Sequence, residues 1–363
     1  MLVMADARID ALIAEDVPYI DLTTELLGIG KNQGRMTYVT REDCIVAGTD
    51  VNRRIAQRLG LSVEQAVCDG ARARAGSALM VVSGRASSLH AMWKVGQNVY
   101  DHLSAVATKT RAMVDAAHAA NPACEIMTTR KSQPGAKDLL TLAVMAGGAW
   151  PHRLGVSETV LIFAQHREFL GGFEGLRAAL PAMRAKCVEK KIFVEASPDE
   201  ARVLARLIGG MPLIDGVQLD KVEVAETSEL VRELRAIDPR LTIIAAGGID
   251  ETNAAAYAAT GVDGLATTAP FNAKPIDVGV RIRQHRGLVD ERGRAQGASN
   301  ISPSRRRGSC SEGDMRIMTR LNACILERPA RKEACGSSSR IVRHPTKRAV
   351  RSVGSVYPTK LAA

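Results

Sequence analysis

The sequence predicts an α/β protein: an N-terminal mixed α/β sandwich domain, then a parallel α/β barrel, closed or open, then a basic tail. Three observations predict it. Short β-prone runs occur before residue 107, with a helical stretch between the second and third. From Cys124 onward, β-prone runs and amphipathic helices alternate regularly. After Gln284 hydrophobic periodicity stops. Strands alternating with helices of about ten to fifteen residues favour a parallel sheet joined by right-handed crossovers.

In the first region, residues 1–107, Met1–Asp16 reads as an amphipathic helix whose acids rule out the basic start of a signal peptide. The β-prone runs are Arg35–Thr40, Cys44–Ala47 and Ala78–Val82, with a helix over Asp50–Leu59. Two helical patterns follow, Ala86–Leu103 and Ser104–Ala120, until Asn121-Pro122 stops the helix. The barrel region, 108–285, has strands expected at Glu125–Thr129, Thr159–Phe163, Lys191–Glu195, Gly216–Leu219, Leu241–Ala246 and Val262–Thr267. Its helices are expected at Ala136–Ala146, Phe173–Glu189, Pro198–Ile208, Val222–Ile237 and Glu251–Ala259, with the last residues free to return to the N-terminal domain. An ordinary doubly wound sheet is the alternative arrangement of the same elements.

Composition narrows the function classes. The chain of 363 residues carries a net charge of +10, which by itself suggests a nucleic-acid or membrane-surface protein. Yet 17 of the 49 Lys and Arg lie in residues 286–363 against 6 of the 39 Asp and Glu, so the tail holds +11 and the rest −1. The body is therefore nearly neutral, and nucleic acid is expected only as a non-specific partner of a disordered tail. The seven cysteines show no CxxC pair, which argues against a disulfide framework or zinc site and fits the reducing cytoplasm. The longest apolar stretch, Leu139–Trp150, is far shorter than the ~20 residues a membrane span needs.

In parallel barrels the reactive groups lie at the C-terminal ends of strands, and here those ends are polar. They are Thr129-Arg130-Lys131, Gln165-His166, Glu195, Asp220-Lys221 and Gly247-Gly248. Arg130-Lys131 and His152-Arg153 concentrate three permanent cations and a titratable ring in two short loops, which suits a polyanion. Glu195 and Asp220 end apolar strands and need a partner: a Mg²⁺ ion, sugar hydroxyls, or a salt bridge to Lys131 or Lys221. Gly247-Gly248 allows close approach of the backbone to a ligand, and Asp250 is placed to cap a helix whose free N–H groups would hold a phosphate.

These residues resemble a family. Thr129-Arg130-Lys131-Ser132-Gln133-Pro134-Gly135 is similar to the TRK-T/S-x-PG motif of quinolinate phosphoribosyltransferases (nicotinate-nucleotide pyrophosphorylases), and His152-Arg153-Leu154-Gly155 to their HRxGL element. Asp21-Leu22-Thr23-Thr24, Asp69-Gly70, Phe193-Val194-Glu195, Gln218-Leu219-Asp220 and Ala246-Gly247-Gly248-Ile249 match further signatures in order. There are departures. Phe163 stands where the family has a substrate-binding Lys, Lys221 where it has Asn, Ala246 where it has Ser. Lys94 replaces an Arg that the family donates across a dimer interface. With Phe271-Asn272-Ala273-Lys274-Pro275, this pattern resembles the ModD-type branch associated with molybdate transport.

The resemblance implies a Mg²⁺-assisted pentosyltransferase, of the kind used in NAD biosynthesis. It would join phosphoribosyl pyrophosphate to the nitrogen of quinolinate or a related small anionic acceptor. It implies Glu195, Asp220 and Lys131 as catalytic residues, with Glu195 and Asp220 holding the metal directly or indirectly. Arg130, His152, Arg153, Lys221, Gly247, Gly248 and the partner's Lys94 would bind substrate in a homodimer with shared active sites. The alternative on the same fold is a non-catalytic anion- or molybdate-related binding protein.

Overall fold

A computed structural model describes residues 4–206 and 213–285. The chain begins with helices α1 (Asp6–Asp16) and α2 (Leu22–Leu26), then strands β1 (Gln33–Thr40) and β2 (Cys44–Ile45), helix α3 (Thr49–Arg58), and strands β3 (Ser62–Ala66), β4 (Arg72–Ala73) and β5 (Ala78–Arg85). Helix α4 (Ala86–Ala120) leads into β6 (Glu125–Thr128), α5 (Lys137–Ala146), β7 (Trp150–Pro151), β8 (Val160–Ile162), α6 (Ala164–Glu168) and α7 (Gly172–Lys186). The last elements are β9 (Ile192–Ala196), α8 (Pro198–Arg206), β10 (Gly216–Asp220), α9 (Val224–Ile237), β11 (Thr242–Ala246), α10 (Ala254–Ala259), β12 (Gly264–Thr267), a 3₁₀ turn at Ala269–Asn272 and β13 (Val278–Gln284).

Two sheets carry the architecture. The first is antiparallel, in the order β13-β1-β5-β3. One edge strand comes from the end of the described residues: β13 returns to pair with β1 in the register Met36↔Ile282. The second sheet has seven strands in the order β7-β6-β12-β11-β10-β9-β8, and every pair in it is parallel. No ladder joins β7 to β8 among the described residues, so the sheet is a curled, open barrel. Its central strands are buried almost throughout, as in Thr242–Ala246 and Gly264–Thr267. A parallel sheet covered on both faces requires such continuous apolar runs.

Helix α4 is one rod of 35 residues where the sequence suggested two helical segments. No proline interrupts it, and its one glycine, Gly96, is a packing position: a Cβ there would collide with the Tyr38 ring. Ser104, at the expected break, is buried, and its hydroxyl accepts from the Ala47 N–H at 3.1 Å. The rod ends at Asn121, the residue before proline. It packs on β1, β5 and β13 along one part of its length and on β6, α5 and α10 along another.

The short edge strand β7 was not legible as a strand, since two residues carry no periodicity. Helix α8 begins at the expected Pro198; its expected end at Ile208, and the tail 286–363, lie outside the described residues. No helix among the described residues is long and apolar enough to cross a membrane.

Candidate active site at the strand ends

Side chains in a strand alternate between faces, and this alternation builds the site in two tiers. The lower tier is a small apolar cluster of Leu161, Phe193, Ile244, Ala246 and Ala266, with Met127 and Phe163 packed against it. One step of two residues toward the strand ends gives Thr129 from Met127, Phe163 from Leu161, Glu195 from Phe193, Gly248 from Ala246 and Thr268 from Ala266. All of these line a cavity of about 480 Å³ above the cluster, together with Gln218 and Asp220, two residues apart on β10.

The same cavity is lined by Arg130, Lys131, His152, Arg153, Lys221 and Gly247. The structure thus brings together every site residue expected from the sequence except Lys94. Lys94 lies on α4, with Nζ 3.1 Å from Gln97 Oε1 and 5.2 Å from the Trp93 ring centre. It does not line the cavity that the others share.

The carboxylate end is a coupled unit. Gln218 and Glu195 are register partners on β10 and β9, and Gln218 Nε2 donates to Glu195 Oε2 at 2.9 Å. Burial, and then the neighbouring Asp220, push the Glu195 carboxyl above the usual range, while the Gln218 bond, Arg167 and Lys131 oppose the shift. Gln218 Oε1 is buried and accepts no hydrogen bond. A buried acceptor without a partner is costly. Gln218 had no assigned role in the sequence reading; the signal available was its place two residues before Asp220.

The glycine turn is shaped by crowding. Gly247 and Gly248 both adopt left-handed backbone, φ 88° and 72°. A Cβ on Gly247 would sit 2.5 Å from Lys221 Cγ and 2.7 Å from Asp220 Oδ1, whereas one on Gly248 would meet open space. Lys221 is itself left-handed (φ 59°), the sole such non-glycine among the described residues, and its N–H donates to Ala246 O at 2.7 Å. The turn after β10 and the turn after β11 are therefore locked together, at a conformational cost of ~1–3 kcal/mol for Lys221.

Two expectations are corrected here. Asp250 does not cap α10. Its Oδ1 accepts from the Thr252 N–H at 2.9 Å in a turn before the helix, which starts later, at Ala254. His166 does not reach the cavity: its Nδ1 accepts from the Phe163 N–H at 3.0 Å and closes the start of α6.

Arg153 is 8% exposed. Its Nη1 donates to Thr159 O at 3.4 Å, and its guanidinium carbon lies 5.7 Å from the Phe163 ring centre. Arg153 follows β7 and Phe163 follows β8, so this contact bridges the open edge of the barrel. Burial and then Arg153 pull His152 below the ordinary imidazole value. Among the described residues no cluster of three or more His, Cys, Asp or Glu could cage a metal.

A parallel barrel whose strand ends combine four cations, two carboxylates and a glycine turn is suited to an enzyme that handles a polyanion. Residues 21–104 match the N-terminal domain of quinolinate phosphoribosyl transferase and residues 106–281 its C-terminal domain. The chain is 35% identical over 284 residues to a pyrophosphorylase named ModD from Escherichia coli, covering 78% of this chain and 98% of that protein. It is 33% identical over 274 residues to a carboxylating nicotinate-nucleotide pyrophosphorylase from Mycobacterium leprae, covering 73% and 93%. The nicotinate-nucleotide pyrophosphorylase of Francisella tularensis has the same fold, with a TM-score of 0.69 at 23% identity over 78% of this chain and 98% of that one. The chain belongs to the quinolinate phosphoribosyltransferase family and is an enzyme of the pentosyltransferase type.

Proposed function

We propose that this enzyme transfers the phosphoribosyl group of phosphoribosyl pyrophosphate to a ring nitrogen of a small anionic acceptor. The observation that carries the reading is the convergence of Arg130, Lys131, Arg153, Lys221, Glu195, Asp220 and the Gly247-Gly248 turn on one cavity. The acceptor's nitrogen lone pair forms a bond to C1 of the ribose, and the C1–O bond breaks with its electron pair on the departing pyrophosphate. Positive charge develops on the ribose ring and negative charge on the leaving group. In this reading Glu195 and Asp220 stabilise the first, and Arg130 and Lys131 receive the second. Catalysis of this kind is positioning and electrostatics, with no covalent nucleophile. The Gly247-Gly248 turn, open at Gly248, would bind the 5′-phosphate.

Glu195 and Asp220 also fit a divalent cation. Two neighbouring carboxylates, one of them pushed up by burial and by the other's charge, would gain from a hard cation. Two protein oxygens plus substrate phosphates are the usual surroundings of Mg²⁺. The ion would neutralise the diphosphate charge.

Lys94 enters the reading through a second copy of the chain. Tyr19, Ile20, Leu22, Leu26 and Leu27 are large apolar residues at 59–91% exposure, and Ile20, Leu22 and Leu27 share a groove with Trp93, the neighbour of Lys94. An apolar surface of this kind supports a homodimer that sets Lys94 against the partner's cavity.

The test is incubation with phosphoribosyl pyrophosphate, Mg²⁺ and a panel of nitrogen-heterocyclic acids. Release of pyrophosphate that depends on one of the acids is the expected result. Binding of the acids with no release would favour the non-catalytic anion-binding alternative.

A further inference from the structure

The acceptor end of the cavity has a charge pattern that limits what it can hold. Lys221 packs over Gly247 beside the glycine turn, and Arg130 and Lys131 serve the pyrophosphate in the reading above. Arg153 is then the cation facing the β7 and β8 edges; Arg130 is near enough to lower its pKa, and in that reading Arg130 is engaged by the pyrophosphate. Arg167, the next in that direction, is paired with Glu200 Oε1 at 2.5 Å and does not line the cavity. Arg153 is nearly buried and fixed between the Thr159 carbonyl and the Phe163 ring. Phe163 is fixed in turn, with His166 stacked on it at 5.9 Å and 25°. Beside Arg153, His152 is held toward its neutral form by burial and by Arg153 itself. With Arg130 engaged by the pyrophosphate, one rigid cation stands next to an apolar ring and an imidazole whose protonation burial and Arg153 disfavour. A carboxylate against Arg153 would be paired; a second one on the adjacent ring carbon would face Phe163, Leu161 or His152, and an unpaired buried charge is expensive.

We infer that the acceptor is a planar aromatic heterocycle carrying a single negative charge, seated with its ring on Phe163 and its carboxylate on Arg153, and that Phe163 is the residue excluding a dicarboxylate. This inference rests on the phosphoribosyltransferase reading. With a monocarboxylate the reaction closes simply. The ring nitrogen gains the bond to C1, pyrophosphate takes the electron pair of the C1–O bond, and no carbon dioxide is released.

The experiment compares acceptors that differ by one carboxylate: pyridine-3-carboxylate with pyridine-2,3-dicarboxylate, and imidazole-4-carboxylate with imidazole-4,5-dicarboxylate, plus uncharged pyridine-3-carboxamide. Each is supplied with phosphoribosyl pyrophosphate and Mg²⁺, and pyrophosphate and product mass are measured. The expected result is a kcat/KM for a monocarboxylate at least tenfold above that for its dicarboxylate and above that for the amide. Phe163→Lys is expected to shift the ratio toward the dicarboxylate by roughly 10- to 150-fold, the value of one charge-assisted hydrogen bond. Phe163→Leu, which keeps the site apolar and removes the ring, is expected to raise KM for the monocarboxylate while leaving the mono-to-dicarboxylate preference in place. It preserves the test if the lysine variant does not fold. A wild-type preference for a dicarboxylate or for the amide overturns the inference and leaves the phosphoribosyltransferase reading standing. Pyrophosphate release with none of the five overturns the inference for these ring classes. The phosphoribosyltransferase reading then falls only if release fails across the wider acid panel as well.

Discussion

Replacing Gly247 with Ala separates two costs that the glycine turn combines. The first is conformational: alanine at φ 88° pays ~1–2 kcal/mol for the left-handed backbone. The second is steric. The new methyl would lie 2.5 Å from Lys221 Cγ and 2.9 Å from the Lys221 backbone nitrogen. The side chain can swing away, but the nitrogen cannot, because its N–H is bonded to Ala246 O. Overpacking of this sort costs ~1–3 kcal/mol, so the loss in unfolding free energy should total ~2–5 kcal/mol. Gly248→Ala is the internal control. It bears the conformational cost at φ 72° but its methyl meets no atom within 4 Å, so it should lose only ~1–2 kcal/mol. Urea denaturation of the two variants beside the wild type reads the difference. The displaced atoms include Asp220 Oδ1, so Gly247→Ala should also lower kcat/KM by more than Gly248→Ala. Equal destabilisation by the two substitutions would refute the claim that the turns after β10 and β11 are locked by contact at Gly247.

The remaining predictions concern the carboxylates and the assembly. Glu195 has its folded pKa raised, so its stabilising contribution is present below the unfolded value and lost as pH rises through the folded one. Glu195→Gln should therefore raise the melting temperature at pH 8 and leave it nearly unchanged near pH 4; equal effects at both would contradict this. Asp220→Asn keeps the shape and removes the charge, so transition-state stabilisation should fall by ~2–4 kcal/mol on whichever acceptor is used. Unchanged turnover would reduce Asp220 to a structural residue. Light scattering at micromolar concentration should give a dimer, and Lys94→Ala should raise KM without dissociating it. A wild-type monomer would remove Lys94 from the site.

The barrel was legible because parallel strands covered on both faces must be apolar runs, and β9, β10 and β11 are such runs. The polar residues at their ends stood out for the same reason. What was hidden depended on partners far away in sequence. Two-residue β7 is a strand only because β6 lies beside it. The break expected inside α4 fell at Ser104, a polar residue whose burial is explained only by the Ala47 amide it bonds. Gln218 looked like one more residue of a buried strand until its register partner proved to be Glu195. Asp250 looked like a helix cap because its side chain suits one, yet the local turn to Thr252 captured it first.

The central claim is that this cavity binds phosphoribosyl pyrophosphate, and calorimetric titration of that molecule into the protein tests it most directly. The account predicts saturable binding at one site per chain that is strengthened by Mg²⁺ and weakened when Arg130 is replaced by Ala. Absence of binding at millimolar ligand by folded protein with Mg²⁺ present would contradict it.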